Sequence, residues 1–175
     1  MSTQTEERLA GVWQFDPVHS AATFTVKYLV APFRSEFGEF TAELVDGQLK
    51  GSAPVSSLKV KNEDFAAHLA GPDFFDSERF PEVSFESRSI AADGDAVTVD
   101  GLLTLKGVTK EVRATGSVSG PAEDFMGNTR VGLSLSTTVD RNEFGVSWNA
   151  PLPKGGNALA DEVKLEVALE FIAAE

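Results

Sequence analysis

The groups able to do chemistry in this chain are few: two histidines, His19 and His68, and no cysteine at all. Thiol nucleophiles, thiolate metal sites and disulfides are thereby excluded. His19 lies in the stretch D-P-V-H-S, residues 16–20, where Asp16 can orient an imidazole and Ser20 follows directly. Adjacent residues on a strand point to opposite faces, so His19 and Ser20 do not make a base and its nucleophile. A histidine at a strand entrance serves more readily as a structural hydrogen-bonding group or as a contact for a polar head group, and that is the role expected here. His68 shares a helical face with Phe65 and Leu69, the surroundings of a satisfied, half-buried imidazole. Arg141, close to Phe144 and Trp148, could stack on a ring or meet a ligand head group. A metal site wants three or four ligands; two histidines forty-nine positions apart do not announce one, and none is expected. The nucleophile elbow, the phosphate-binding loop and the dinucleotide fingerprint are all absent. The enzymatic alternative that survives is a small lipid-metabolising enzyme using His19 or His68 as general base.

Twenty-seven acidic against fifteen basic residues give a net charge of −12, which repels phosphate backbones and makes nucleic acid an unsuitable partner. No run approaches the eighteen apolar residues of a membrane-spanning helix, so no stable membrane insertion is expected. The first residues, M-S-T-Q-T-E-E-R-L-A, carry no leader-like pattern, which predicts a cytoplasmic location and a flexible N-terminus over residues 1–10. Residues 11–175 read as one domain, the size at which a single core is well buried.

The elements that must position these side chains are strands. Val163, Leu165, Val167, Leu169 and Phe171 alternate with mostly polar neighbours, a period of two that gives one dry and one wet face. The pattern recurs at Phe24–Val30, Phe40–Leu44, Val97–Leu105, Val112–Val118 and Val131–Val139, with shorter runs near 11–15, 49–58 and 83–90. Eight or nine antiparallel strands follow, and their length with short turns favours an extended up-and-down β-barrel of about eight strands over a sandwich. Gly101, Gly116 and Gly132 fall within strands, where glycine marks a bulge or sharp coil; the D-G at 100–101 could instead be a hairpin turn. Residues 62–72 read as a short helix capped by Asn62 and stopped at Gly71-Pro72, with Asp73 offering a second cap. Residues 140–161 are irregular and should lie over one barrel end.

Thirteen phenylalanines against two tryptophans and one tyrosine suit a hydrocarbon better than a sugar. Ala22, Ala42, Ala53, Ser87, Ala114 and Gly116 fall on the inner faces and leave slack in the lumen; a packed lumen of large residues opposite small ones is the alternative.

Four motifs in order, W-Q-F-D-P-V-H-S at 13–20, F-F-D with Pro81 from 74, G-L-L-T-L-K-G-V-T at 101–109 and D-R-N-E-F-G-V-S-W-N at 140–149, resemble the YceI-like family. The resemblance runs from about residue 12 to 172 and implies a lipocalin-like barrel whose lumen takes a long polyisoprenoid, such as an isoprenoid quinone or its precursor, for storage, transport or sequestration and without catalysis or cofactor. It also implies that Asp16, His19 and Ser20 match the family's D-x-x-H-S, and that His68-Leu69 match the end of its R-D-x-H-L. Phe65-Ala66 stand here in place of the Arg-Asp, which makes the entrance greasier. The ligand contacts expected are Phe24, Val26, Tyr28, Phe40, Phe85, Leu103, Leu133, Leu135, Val167 and Phe171 within the lumen. Phe74, Phe75 and Trp148 are expected near an opening, with His19, His68 and Arg141 as polar contacts. The partner is a hydrophobic small molecule, and a homodimer stays open.

Overall fold

The computed structural model describes residues 8–174. Its strands are β1 (Val12–Phe15), β2 (Ala21–Tyr28), β3 (Ala31–Phe37), β4 (Thr41–Val45), β5 (Gln48–Pro54), β6 (Leu58–Lys59), β7 (Glu82–Asp93), β8 (Ala96–Leu105), β9 (Val108–Glu123), β10 (Thr129–Asp140) and β11 (Leu159–Ala173). All pairings are antiparallel, and eight strands close a ring in the order β1-β4-β5-β7-β8-β9-β10-β11, sealed where β1 meets β11 at Trp13↔Ala173 and Phe15↔Phe171. β2, β3 and β6 branch from the other half of β11, through pairs such as Leu165↔Phe24. One long strand thus closes the barrel with its C-terminal half and carries a second wall with its N-terminal half.

The turns Asp46-Gly47 and Gly94-Asp95 mark the lower end. The turns Leu29-Val30 and Lys106-Gly107, the helix α1 (Glu63–Ala70) and the loop after β10 mark the upper end. Alternation along the strands sends one side chain in two inward, and the lower third is packed solid: Leu9, Leu44, Ile90, Val99, Val131, Leu133 and Phe171 are almost fully buried in one cluster. Two further clusters, around Phe144 and around Phe24, fill the upper part.

Helix α1 forms as its caps dictate. The Asn62 side chain accepts the Phe65 amide at 3.0 Å, Glu63 and Asp64 face the positive end of the helix, and Leu69 is buried. No second helix follows Asp73, which instead meets His68; residues 71–79 form turns held by carbonyls of the helix end. The irregular stretch after β10 opens with a 3-10 turn, Arg141–Phe144, whose N-terminal amide at Asn142 is capped by Asp140.

Glycine acts as the periodicity implied, with the strand running straight through D-G at 100–101. Opposite Asp100 and Gly101 the register slips between Ser87 and Ser89, and a second slip falls between Arg130 and Gly132. At Gly116 a Cβ would collide with the Ser134 carbonyl, so the closeness of β9 and β10 requires glycine there.

Three expectations need correction. The strand anticipated over Phe24–Val30 ends at Tyr28, because Leu29 turns the chain with φ 55°; the returning strand β3 was hidden by its weak alternation and Pro32. The run at 49–58 is two strands, β5 and β6, separated by a 3-10 turn at Val55–Ser57. Residues 1–7 lie outside the described residues, but Leu9, assigned to a flexible N-terminus, is only 1 % exposed and Arg8 donates to the Gly120 carbonyl at 2.7 Å.

Candidate ligand site

Above the packed lower third, the lumen opens into a cavity of about 170 Å³. Ala22, Ala42, Ala53 and Ala114 line it as small residues, with Phe40, Phe85, Leu103, Leu135 and Val167 as large ones. The slack predicted from small inward residues is therefore real at these four alanines. Ser87 is different: it is buried and its hydroxyl accepts the Leu49 amide at 2.8 Å, while Gly116 is exposed. Thr137, also at the cavity, spends its hydroxyl on the Arg113 carbonyl at 2.8 Å. Lys50 and Glu166 border the space, with head groups engaged by Glu86 and Arg34. What remains is a largely apolar surface that can hold hydrocarbon.

Of the other residues expected in the lumen, Leu133 and Phe171 belong to the lower plug, at 1 % and 0 % exposure. Phe24 and Val26 are buried in the second wall. Tyr28 was expected inward and is half exposed, because it sits at the hairpin tip beyond the last covered position. Phe37, Leu49, Val83, Val112, Leu165 and Leu169 also line the cavity and were missed as contacts. Phe37 was out of reach because β3 was not anticipated. The parity of Leu165 and Leu169 with Val167 was signal enough to place those two.

The lumen is not the end-to-end tunnel that threading a long chain would use. A series of rings lies over the cavity: Phe37 at its wall meets Phe24 with centroids 6.3 Å apart, Phe24 meets Phe33 at 6.2 Å and Phe75 at 6.1 Å, and Phe33 meets Phe65 edge-on at 5.0 Å. Beside this series, His68 stands edge-on to Phe74 at 4.9 Å and Trp148 at 4.7 Å, with Nε2 3.1 Å from an Asp73 carboxylate oxygen. Phe74, Phe75 and Trp148 thus sit at the upper end as anticipated, and the histidine is part of an aromatic cap.

Arg141 does not stack. It is 4 % exposed and donates to the carbonyls of Ala160 at 2.8 Å, Val146 at 2.6 Å and Trp148 at 2.8 Å, which lashes the upper loop to the start of β11. Burial pushes its guanidinium pKa down, and one terminal nitrogen has no partner among the described residues.

His19 lies on the outer wall. Its Nδ1 is 2.7 Å from Asp16 Oδ2, as the spacing implied, and 3.5 Å from Glu170. Ser20 donates to the Asp16 carbonyl at 2.7 Å and accepts the Glu170 amide at 3.0 Å, so it is spent on the backbone. Arg130 is the hub, donating to Asp16 at 2.8 Å, Glu170 at 2.9 Å and Asp124 at 2.7 Å. The Arg130 guanidinium, and then His19, hold the Asp16 carboxyl down at about 2; Arg130 does the same to Asp124. Asp16, His19 and Glu170 bring donor atoms within 4.8 Å of one another, a spacing a metal ion could use, but Arg130 already occupies the same carboxylate oxygens. Arg130 and Glu170 escaped the sequence reading because 114 residues separate Arg130 from Asp16 and no local pattern links them.

A closed antiparallel barrel with an apolar cavity, whose ionisable clusters lie on the outer wall or at the rim, is a lipocalin-like barrel, a class whose lumen can hold one apolar ligand. The chain belongs to the YceI-like family, whose domain model matches residues 13–171. It is similar to the UPF0312 protein SA2479 of Staphylococcus aureus, with 32% identity over 171 residues that cover 92% of this chain and 97% of that protein. Among solved structures it is similar to Burkholderia cenocepacia BcnA, with TM-score 0.77 and 23% identity over 90% of this chain and 99% of that one. It is also similar to a polyisoprenoid binding domain from Saccharophagus degradans, with TM-score 0.71 and 12% identity over 93% of this chain and 98% of that one.

Proposed function

We propose that this protein binds a long-chain polyisoprenoid or a related lipid in the barrel lumen, for storage, transport or sequestration, and that it does no chemistry on it. The observation that carries the reading is the apolar cavity of about 170 Å³ at mid-lumen. Its volume resembles that of an engineered apolar cavity of about 150 Å³ that stays dry and takes benzene. One end of a branched hydrocarbon therefore fits as the protein stands, and the rest of the chain runs upward by parting the rings above. The similarity to the Saccharophagus polyisoprenoid binding domain supports the class of ligand. The non-catalytic reading is supported by the positions of the two histidines: His19 on the outer wall with its side chain 59% exposed, His68 in the cap, and neither at the cavity.

The contacts assigned to the ligand are Phe40, Phe85, Leu103, Leu135 and Val167, with Phe24 and Phe75 as the rings that move. Native mass spectrometry after gentle purification, followed by organic extraction, tests the reading together with an Ala114→Phe variant. The added ring occupies the cavity, so a folded A114F protein should carry little lipid and lose uptake of a fluorescent prenyl probe by about tenfold or more. Undiminished uptake by the folded variant would overturn the assignment.

A further inference from the structure

Among the described residues, two-residue turns join β4 to β5, β7 to β8, β8 to β9 and β2 to β3. The first three use Asp46-Gly47, Gly94-Asp95 and Lys106-Gly107, the polar and glycine pairs that such hairpins require. The fourth is Leu29-Val30. Leu29 is held at φ 55°, where Gly94 sits at φ 62° in its own turn, so a branched apolar side chain occupies a position that glycine adopts freely. Val30 beside it is 95% exposed, Tyr28 50% and Leu29 45%. From Tyr28 to Pro32 every residue is exposed and none is charged. The tip is thus both strained and greasy, a combination that points to use rather than to folding.

We propose that this tip, Tyr28–Pro32, is the surface by which the barrel docks on a zwitterionic lipid bilayer to load or unload its ligand, an inference that rests on the lumen reading above. The lower end of the lumen is packed shut, which leaves the upper end as the axial way in. The rings Phe37, Phe24, Phe33 and Phe65 lead from the cavity wall to the surface, and Phe65 is 37% exposed. Phe33 lies on β3, the strand that leaves the tip. Tyrosine beside leucine and valine suits the headgroup boundary, where an amphipathic ring sits above inserted aliphatic side chains. Three side chains on a protruding turn bury far less than the roughly 800 Å² per partner of a standard protein interface, which favours a bilayer over a second copy. A net charge of −12, with Asp161 and Glu162 on β11 between the partners of Tyr28 and Val26, outweighs the exposed Lys27 beside the tip and favours zwitterionic over anionic lipid.

The test uses the full chain with vesicles of phosphatidylcholine, alone or with phosphatidylglycerol, and a Leu29→Gly/Val30→Ser variant. That variant supplies the glycine the turn calls for and changes no charge, so it folds. Flotation should show wild-type association with phosphatidylcholine vesicles, weaker with phosphatidylglycerol present. In the variant, association and the rate of prenyl-probe transfer from vesicles should each fall about tenfold or more, while uptake of the same probe from detergent-free solution stays unchanged. A Phe125→Ser/Met126→Ser protein serves as control, because that exposed apolar turn lies at the lower, closed end. Undiminished association of the tip variant, loss in the control instead, or a tip-dependent dimer in sedimentation would each overturn the proposal. Wild-type association with no uptake from solution would support the docking tip and overturn the lumen reading.

Discussion

Arg130 gathers three carboxylates from separate segments, tying Asp16 at the entrance of β2 to Asp124 in the β9–β10 turn and to Glu170 on β11. Asp16 has a folded pKa of about 2 against an ordinary 3.8, so the fold favours its ionised form. That stabilisation, about 2 kcal/mol for this one carboxyl, is complete above roughly pH 5 and is lost as the pH falls through 2. Arg130→Gln should therefore cost on the order of 2 kcal/mol at pH 7 in urea unfolding, and the cost should shrink toward pH 2. A pH-independent difference would show that the guanidinium acts by packing alone. His19→Ala removes one hydrogen bond on the outer wall, so about 1 kcal/mol of stability should go while lipid uptake is unchanged. Loss of uptake in a folded H19A protein would revive the enzymatic or head-group role. The pairing of His19 with Asp16 was legible from a spacing of three residues, whereas Arg130 was not, because its partners come from three separate segments.

At the scale of elements, alternation located nearly every strand of the closed ring, since a period of two is the direct imprint of one wet and one dry face. It failed at β3, whose residues A-P-F-R-S-E-F bury only Ser35 and Phe37 fully and so print no regular pattern. The turn residue Leu29 and the strand glycine Gly116 make opposite predictions. Leu29→Gly should leave stability intact or raise it by up to about 1 kcal/mol, as relief of the left-handed leucine competes with the greater freedom of glycine when unfolded. Gly116→Ala should cost on the order of 3 kcal/mol, because the new Cβ falls on the Ser134 carbonyl and two paired strands must part. Thermal melts of the two variants, read side by side, check both; a tolerated alanine at 116 would mean that β9 and β10 separate more easily than their close approach implies.

For the molecule as a whole, the plug below and the rings above the cavity set how affinity should grow with ligand length. Each five-carbon unit buries enough hydrocarbon to gain roughly 3 kcal/mol before ordering costs, so prenyl alcohols should tighten with length while the cavity fills. Beyond that point every further unit must displace Phe24 or Phe75, and the gain per unit should drop; a titration across the series, read by displacement of a fluorescent probe, checks this. A constant gain at every length would mean that a continuous channel already exists. By itself the sequence determined that the chain is all-β, with a barrel favoured over a sandwich, where helix α1 begins and ends, and which face of each long strand is apolar, because these follow from local periodicity, capping and turn chemistry. Only the tertiary structure decided that Leu133 and Phe171 plug the lumen while Leu135 and Val167 line a cavity, that Arg141 serves backbone carbonyls, and that Arg130 gathers three carboxylates. Parity tells which way a side chain points, but whether it meets a neighbour or empty space depends on the shear and tilt of strands distant in the chain.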